Sequence, residues 1–230
     1  MFNEEKVASK CIDNVISEIN KLDPRIKLIV IDDGSTDQTS KILNVKKIQY
    51  KNTLVILTHK KNKGYGGAMQ TGIHYAIKES FEFYLTMDSD LTNKPDCIKD
   101  FTKFISSNLD CVKASRYIKG GKVINVPLFR RIVSLLGNYL ASWFFGVGIK
   151  DCTNGFKMVR LKFLKGIKFQ ENNFSIIFEE MYHLKKRGAR FIEIPNILYA
   201  RDDSKSHFTH APKVFFDYFK YIVKASLIRN

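Results

Sequence analysis

The strongest constraint on the fold is an alternation of short apolar runs with helical patterns between residues 27 and 117. The runs are KLIVIDDGS (27–35), TLVILTHKKNKGYGG (53–67), FEFYLTMDSD (81–90) and DCVKASRY (110–117). Helical patterns such as AMQTGIHYAIKES lie between them. Strands that are apolar throughout are typical of a sheet with helices on both faces. The sequence therefore predicts an α/β fold with a mostly parallel sheet, to which RFIEIPNILYAR (190–201) adds a further pair of strands.

A chain of 230 residues is long enough for one domain with a large core and short for two. We therefore predict a single domain over residues 1–230. Residues 5–22 carry apolar side chains at helical spacing and predict a helix before the first strand.

Pairs of acids follow two of the predicted strands, where ligands bind in such sheets. Asp32 and Asp33 end one strand, while Asp88 and Asp90 end another. In an extended backbone Asp88 and Asp90 point the same way, so their charges repel unless a cation lies nearby. Magnesium and manganese prefer such oxygen ligands and are often completed by phosphate oxygens. A ligand site is one interpretation of each pair, and a plain turn or helix cap is the other.

A glycine-rich segment, NKGYGGAMQTG (62–72), precedes the predicted third helix. The amide groups of such a helix start can bind phosphate. The segment matches neither common phosphate-loop pattern, so it predicts a helix entry rather than a phosphate site.

Positive charge is concentrated in the second half of the chain. Residues 1–115 contain 17 Lys and Arg against 15 Asp and Glu, whereas residues 116–230 contain 21 against 8. This asymmetry indicates an anionic partner, with nucleic acid, a lipid headgroup and a phosphorylated substrate as candidates, or simply a solvated basic surface. No nucleic-acid-binding motif is present, so we expect no nucleic acid partner.

Two segments of the basic half are amphipathic or uncharged. Residues 132–149 contain no charge, but Gly137, Asn138 and Ser142 interrupt the run, which favours a buried or interfacial helix over a membrane span. The last 17 residues place aromatic side chains beside lysines and predict an interfacial helix. The four scattered cysteines and the charged N-terminal residues favour a cytoplasmic protein without a secretory signal peptide.

The order FNEE, DDGSTD, GYGGA, MDSD and ASRY resembles the family 2 glycosyltransferases of the GT-A (Rossmann-like) fold. FRRIVSLLGNYLASWFFGVGIKDCTNGFKMVR (129–160) and YARDDSKS (199–206) narrow the resemblance to polyprenol-phosphate sugar transferases, whose best-known member is dolichol-phosphate mannosyltransferase. The resemblance implies an inverting transfer of a sugar from a nucleotide diphosphate sugar, such as GDP-mannose or a UDP-hexose, to a polyprenyl or dolichyl phosphate. It divides the chain into a nucleotide-sugar half (1–116) and a membrane-facing acceptor half (117–230).

The resemblance also assigns roles to individual residues. Those at the nucleotide sugar would be Asn3, Glu4, Asp32, Asp33, Asp88, Ser89 and Asp90, and Asp88 and Asp90 would hold Mg²⁺ or Mn²⁺ as a DxD motif. Those at the acceptor phosphate would be Arg130, Arg131, Ser134, Asn138, Asp151, Thr153, Gly155 and Phe156. The catalytic set would be Asp90, Arg116, Arg130 and Arg201, with Ser204 and Lys205 following Arg201. Glu179, or Glu180 beside it, corresponds to a helical acid of the family.

A phosphate acceptor is already an anion near neutral pH, so the implied reaction needs cations rather than a general base. A glycan or glycolipid hydroxyl as acceptor is the alternative, with Asp151 or Glu179 as its base. A non-catalytic basic protein that binds RNA or lipid is the alternative from another class. The implied partners are the nucleotide sugar, the lipid phosphate, the cytosolic face of a membrane bound peripherally, and a possible membrane-protein partner.

Two positions depart from the family pattern. The family has an inner strand before FNEE, whereas Met1 directly precedes Phe2 here. We therefore expect a gap in the sheet that lowers stability. Thr92 stands where the family commonly has glutamine or histidine, which predicts weaker metal binding.

Overall fold

A computed structural model of the protein describes residues 1–200 and 212–228. The described helices are α1 (Ala8–Ile19), α2 (Thr39–Gln49), α3 (Gly64–Lys78), α4 (Ile98–Thr102), α5 (Leu128–Phe145), α6 (Ile176–Lys186) and α7 (Pro212–Ser226). The described strands are β1 (Leu28–Asp32), β2 (Leu54–Thr58), β3 (Phe83–Thr86), β4 (Cys111–Ser115), β5 (Lys122–Ile124), β6 (Lys157–Arg160), β7 (Phe191–Pro195) and β8 (Ile197–Tyr199). All the strands that the sequence predicts are present, and the α/β class is confirmed.

The strands form three sheets within the described residues. Strand β1 pairs in parallel with β2, and β5 pairs in parallel with β8. The third sheet has the order β3-β6-β4-β7, in which β4 and β7 are parallel. Strand β6 runs antiparallel to both of its neighbours, so this sheet is mixed rather than mostly parallel.

Helix α3 packs on both β1 and β3, which belong to different sheets. On the edge of β1 away from β2, Met1 makes two backbone hydrogen bonds of parallel type. Its ammonium group donates to the Ile31 carbonyl oxygen at 2.6 Å, and the Asp33 amide donates to the Met1 carbonyl oxygen at 2.8 Å. Burial of that ammonium group lowers its pKa. The absence of an inner strand stays a prediction.

The core follows the apolar periodicity of the helices. In α1 the buried side chains recur every three or four residues, as the spacing in residues 5–22 predicts, and they cover the β1-β2 sheet. A larger cluster joins α3, α6 and the inner faces of α5 and α7. Burial of these faces is the main favourable contribution to the stability of the fold.

Helix α5 buries one narrow stripe and exposes the rest of its surface. Asn138, Ala141 and Phe145 are buried, at the spacing of one helix face. The exposed side chains include Leu128, Phe129, Ile132, Val133, Leu135, Leu136, Tyr139, Leu140 and Trp143. Helix α7 packs beside α5 and exposes Phe216, Phe219 and Val223, and Leu227 directly after the helix is also exposed. We call these exposed side chains of the two helices the apolar surface.

No helix in the described part of the chain is both long enough and apolar enough to cross a bilayer.

Candidate functional site

The acids of MDSD lie just beyond the end of β3. Asp88, Ser89 and Asp90 are half-buried, and Leu91 after them has a positive φ of 59°. One carboxylate oxygen of Asp90 accepts hydrogen bonds from the Thr92 amide at 3.0 Å and the Thr92 hydroxyl at 2.7 Å. Thr92 therefore fixes the position of Asp90 and closes the turn, a contact that the sequence did not predict.

Metal binding at this turn would depend on the substrate. No cluster of three or more His, Cys, Asp or Glu side chains suited to a metal ion occurs in residues 1–200 and 212–228. At this turn, Asp88 and Asp90 supply two carboxylates as candidate metal ligands. Magnesium is commonly held by one or two carboxylates together with phosphate oxygens and waters, so this pair fits an ion that a diphosphate completes.

The end of β1 is organised by hydrogen bonds within the protein. Asp32 is buried and accepts the Ser35 amide at 3.0 Å and the Ser40 hydroxyl. Burial acts to raise the pKa of Asp32, but the hydrogen bonds from Ser35 and Ser40 outweigh it, so the pKa is lowered. Asn3 lies against the same turn and accepts the Thr36 amide at 2.8 Å through its side-chain oxygen.

Glu4 is buried nearby, and its amide donates to the Thr39 hydroxyl at 2.9 Å. Asn3, Glu4 and Asp32 thus come together at the carboxyl end of β1, the end at which such sheets bind ligands, and their role at a nucleotide stays a prediction.

Asp33 has a different environment from Asp32. Its carboxylate lies 2.6 Å from Nδ1 of His59, and it accepts the amides of Lys63 and Gly64, each at 2.9 Å. The second imidazole nitrogen of His59 lies 2.8 Å from the Thr71 hydroxyl. Asp33 therefore connects the start of α3 to the end of β1. This structural role was not part of its predicted role at the nucleotide.

The glycine-rich turn allows a close backbone approach. A Cβ atom on Gly66 would overlap the Glu171 carbonyl oxygen, and one on Gly64 would overlap that of Asn172. The Gly66 amide donates to the Asn172 carbonyl at 2.9 Å. Because this amide is hydrogen-bonded within the protein, it is not available to bind phosphate. The segment forms the start of α3, as the sequence predicts.

Arg116 and Asp151 form a buried ion pair after β4. The guanidinium donates to both carboxylate oxygens of Asp151 at 2.7 Å, and the Arg116 amide donates to one of them at 2.9 Å. Asp151 is fully buried. A bidentate pair of this kind fixes the orientation of both side chains and balances the charge of Arg116.

The same ion pair is continued by polar side chains from α5. The Arg116 guanidinium also donates to the Thr153 hydroxyl at 2.9 Å. The Asn138 side-chain amide donates to that hydroxyl at 2.9 Å, and its oxygen accepts the Thr153 amide at 2.9 Å. Ser134, one turn before Asn138, accepts a hydrogen bond from the Tyr117 hydroxyl at 2.8 Å. We call Arg116, Tyr117, Ser134, Asn138, Asp151 and Thr153 the polar network.

Sequence reasoning predicted five members of the polar network but missed Tyr117, although it directly follows Arg116 in ASRY. The exposed Arg130 and Arg131 lie on α5 one turn before Ser134, and within the described residues neither guanidinium has a side-chain hydrogen bond, although the Arg131 backbone amide donates to the Pro127 carbonyl. Arg201, Ser204 and Lys205 lie outside the described residues.

Gly155 connects the polar network to β3. Its carbonyl oxygen accepts a hydrogen bond from the Thr86 hydroxyl, and a Cβ on Gly155 would overlap the Tyr65 hydroxyl. Tyr65 stacks on Phe174 with ring centroids 4.5 Å apart. Burial, with further contributions from carboxylates including Asp88, raises the pKa of Tyr65 well above its usual value. Gly155 and its neighbours thus approach the end of β3, which Asp88 follows, a proximity that the sequence did not predict.

Phe156, also predicted at the acceptor site, instead lies fully buried and packs against Phe101 with centroids 4.7 Å apart. Its aromatic ring belongs to the core.

The two acids of α6 are buried and have protein partners. Glu179 accepts the amides of Gln170 and Glu171, with the shortest distance at 2.8 Å. Glu180 forms an ion pair with Lys157 at 2.8 Å and accepts the Tyr84 hydroxyl. Both acids hold backbone or side chains of the core in place.

Comparison with known proteins identifies the family of the chain. Residues 1–168 of the 230 match Glycosyl transferase family 2. A dolichol-phosphate mannosyltransferase of Pyrococcus furiosus is 28% identical over 228 residues, which cover 96% of this chain and 59% of that protein. A polyprenol monophosphomannose synthase of Mycolicibacterium smegmatis is 25% identical, with 79% of this chain and 69% of that protein covered. The chain thus spans little more than half the length of the Pyrococcus relative.

Solved structures support the fold. A glucosyl-3-phosphoglycerate synthase from Mycobacterium tuberculosis, solved with Mn²⁺, UDP and glucosyl-3-phosphoglycerate, superposes with a TM-score of 0.67 at 16% identity. The alignment covers 100% of this chain and 78% of that one. The GT-A-like fold is therefore confirmed, and the protein is a glycosyltransferase that belongs to glycosyl transferase family 2.

Proposed function

We propose that this glycosyltransferase moves a sugar from a nucleotide diphosphate sugar to a polyprenyl phosphate with inversion at the anomeric carbon. GDP-mannose and the UDP-hexoses are the candidate donors. The names of two relatives, a dolichol-phosphate mannosyltransferase and a polyprenol monophosphomannose synthase, support this choice.

One observation carries the proposal: the polar network lies directly beneath the apolar surface. Ser134 and Asn138 belong to the inner face of α5, whose outer face exposes large apolar side chains such as Phe129 and Trp143. A lipid phosphate has the same two parts, a polar head and an apolar chain. The arrangement therefore fits an acceptor whose phosphate enters the polar network while its chain follows α5.

The candidate bases Asp151 and Glu179 are occupied by hydrogen bonds within the protein, which favours a phosphate acceptor over a hydroxyl acceptor. A hydroxyl needs a carboxylate that can take its proton. Both oxygens of Asp151 bind Arg116, and Glu179 is buried against the amides of Gln170 and Glu171. A polyprenyl phosphate is anionic already and attacks without such a base.

On the donor side, Asp88 and Asp90 would hold Mg²⁺ or Mn²⁺ against the diphosphate. A bound divalent ion neutralises charge that develops on the leaving group. Asn3, Glu4 and Asp32 would bind the nucleoside at the end of β1, with Asp33 fixing the adjacent turn. Arg130 and Arg131 would add positive charge at the acceptor phosphate, and Arg201 would do so at the donor.

We further propose that the apolar surface rests on the cytosolic face of a membrane. Large apolar patches that are exposed to solvent usually mark an interaction site. Arg130 and Arg131 at the start of α5 would meet anionic headgroups, which adds electrostatic attraction to apolar burial. Such peripheral binding brings the polar network to the depth of a lipid phosphate, alone or with a membrane-protein partner.

The proposal is tested by transfer of labelled sugar into a lipid phase. Purified protein receives Mg²⁺ or Mn²⁺, a short polyprenyl phosphate, and in turn GDP-mannose, UDP-glucose and UDP-N-acetylglucosamine. We expect one donor to react, and we expect Asp90→Ala and Arg130→Ala each to lose at least tenfold in rate. Asp100→Ala, which changes a half-buried aspartate, and Arg25→Ala, which changes an exposed arginine, serve as matched controls and should retain full activity. No transfer from any donor by folded protein would reject the proposal.

A further inference from the structure

The Thr153 hydroxyl has both of its acceptor positions filled. Arg116 donates to it at 2.9 Å and so does the Asn138 amide group, also at 2.9 Å. The orientation of that amide is fixed, because its oxygen accepts the Thr153 backbone N–H at 2.9 Å. A hydroxyl offers two acceptor lone pairs and one donor hydrogen. The Thr153 hydroxyl can therefore form a further hydrogen bond only as a donor.

The Ser134 hydroxyl is oriented by one strong hydrogen bond, which it accepts from the Tyr117 hydroxyl at 2.8 Å. The Asn138 amide nitrogen donates to the Ser134 carbonyl oxygen at 2.8 Å and lies 3.4 Å from the Ser134 hydroxyl. The aromatic ring of Tyr117 lies beside the Arg116 guanidinium, 5.0 Å from ring centroid to guanidinium carbon. This contact holds the phenol in place. In the described part of the chain the hydroxyl hydrogen of Ser134 has no acceptor.

The burial of the polar network determines which ligand groups the Ser134 and Thr153 hydroxyls can contact. Asn138 and Asp151 are buried, whereas Tyr117, Ser134 and Thr153 are half-buried. Asn138 and Asp151 thus orient the network from inside the protein, whereas the two hydroxyls belong to residues that keep part of their surface accessible. The Thr153 hydroxyl can only donate, and the Ser134 hydroxyl has a hydrogen to donate, so the pair suits an ionised phosphate oxygen, which only accepts, better than a neutral hydroxyl.

We infer that Tyr117 is a positioning residue of the acceptor site: together with Asn138 it holds the Ser134 and Thr153 hydroxyls as hydrogen-bond donors to an ionised phosphate monoester. This inference deepens the proposed function, because it concerns the same acceptor site. Tyr117 acts through Ser134, so removing its hydroxyl should matter only while Ser134 is present.

The test measures binding of geranyl phosphate by titration calorimetry, which needs no sugar transfer. Tyr117→Phe keeps the ring on Arg116 and removes one hydroxyl. We expect it to weaken binding about fivefold to tenfold, because the Ser134 donor loses its orientation, and Ser134→Ala to weaken it by about tenfold or more, as for the loss of one hydrogen bond to a charged group. Tyr117→Phe in the Ser134→Ala background should then change nothing further. Tyr75→Phe on α3 is the matched control and should bind like the unaltered protein.

Three outcomes would overturn the inference. The first is binding of geranyl phosphate by Tyr117→Phe as tight as that by the unaltered protein. The second is simple addition of the effects of the two substitutions, which would place Tyr117 outside the Ser134 interaction. Absence of geranyl phosphate binding by the unaltered, folded protein would also reject it. A different result would reject the proposed function alone. If geranyl phosphate binds with the expected dependence on Tyr117 but no sugar is transferred to polyprenyl phosphate, the phosphate site is supported and the proposed transfer reaction is rejected.

Discussion

The buried ion pair between Lys157 and Glu180 makes a sharp prediction about stability. Lys157 lies on β6 and Glu180 on α6, and both side chains are fully buried with their charged atoms 2.8 Å apart. The second carboxylate oxygen of Glu180 accepts the Tyr84 hydroxyl. Glu180→Gln would keep an acceptor for Tyr84 but leave the Lys157 ammonium buried without a counter-charge.

The expected loss follows from this geometry. Removing one partner of a buried ion pair costs about 3–5 kcal/mol, because the remaining charge stays out of water. Most domains are stable by only about 5–15 kcal/mol, so this is a large fraction of the total. For a chain of this size, that loss corresponds to a decrease in Tm of roughly 6–20 °C. Removing both charges in Lys157→Met/Glu180→Gln should restore most of the stability, because no uncompensated charge remains.

Urea denaturation followed by circular dichroism measures the free energy of unfolding of each variant. Lys21→Met, which removes the exposed partner of Glu18, is the control and should change the free energy of unfolding by less than about 0.5 kcal/mol. The reasoning is refuted if Glu180→Gln costs less than about 1 kcal/mol, or if the double variant is as unstable as the sum of the two single variants.

Two further predictions concern a thiol and the glycines. Burial, and then the carboxylates of Asp96 and Asp100, raise the pKa of the Cys97 thiol to about 11, so the thiol is protonated at pH 7. Its rate of alkylation by iodoacetamide, measured by mass spectrometry, should therefore rise about tenfold per pH unit up to that pKa. A rate that levels off by pH 9 would contradict this. Gly66→Ala should lower the free energy of unfolding in urea by about 1–3 kcal/mol, because its Cβ would overlap a backbone carbonyl. Gly137→Ala, in open space within α5, should raise it by about 0.5–1 kcal/mol, and equal effects of the two changes would be inconsistent with the packing described.

The fold was largely predictable because local patterns determine it. The apolar runs that became β1 to β4 and the periodicity of α1 need no knowledge of distant residues. Strand β6 was missed for a physical reason. Its sequence KMVR begins and ends with charges, and Lys157 is buried only because Glu180, 23 positions later, neutralises it.

The candidate site shows the same division. The acids that follow β1 and β3 could be found from their positions after apolar runs. The contacts that distinguish Asp33 from Asp32 could not, because His59 lies 26 residues from Asp33 in sequence. Tyr117 was missed because its partner Ser134 comes from a different element, 17 residues away. Sequence reasoning named five of the six residues of the polar network, whereas their hydrogen-bond directions required the three-dimensional arrangement.

The most direct test of the proposed activity is a competition between two acceptors that differ only at the head group. Polyprenyl phosphate and the corresponding polyprenol are supplied at equal concentration, with the reactive donor and a divalent metal ion, and the lipid products are separated and quantified. The polar network and the engaged carboxylates of Asp151 and Glu179 predict sugar on the phosphate and none on the alcohol. Transfer to polyprenol at a comparable rate would contradict the account, because it would require a general base that neither acid can supply in these contacts.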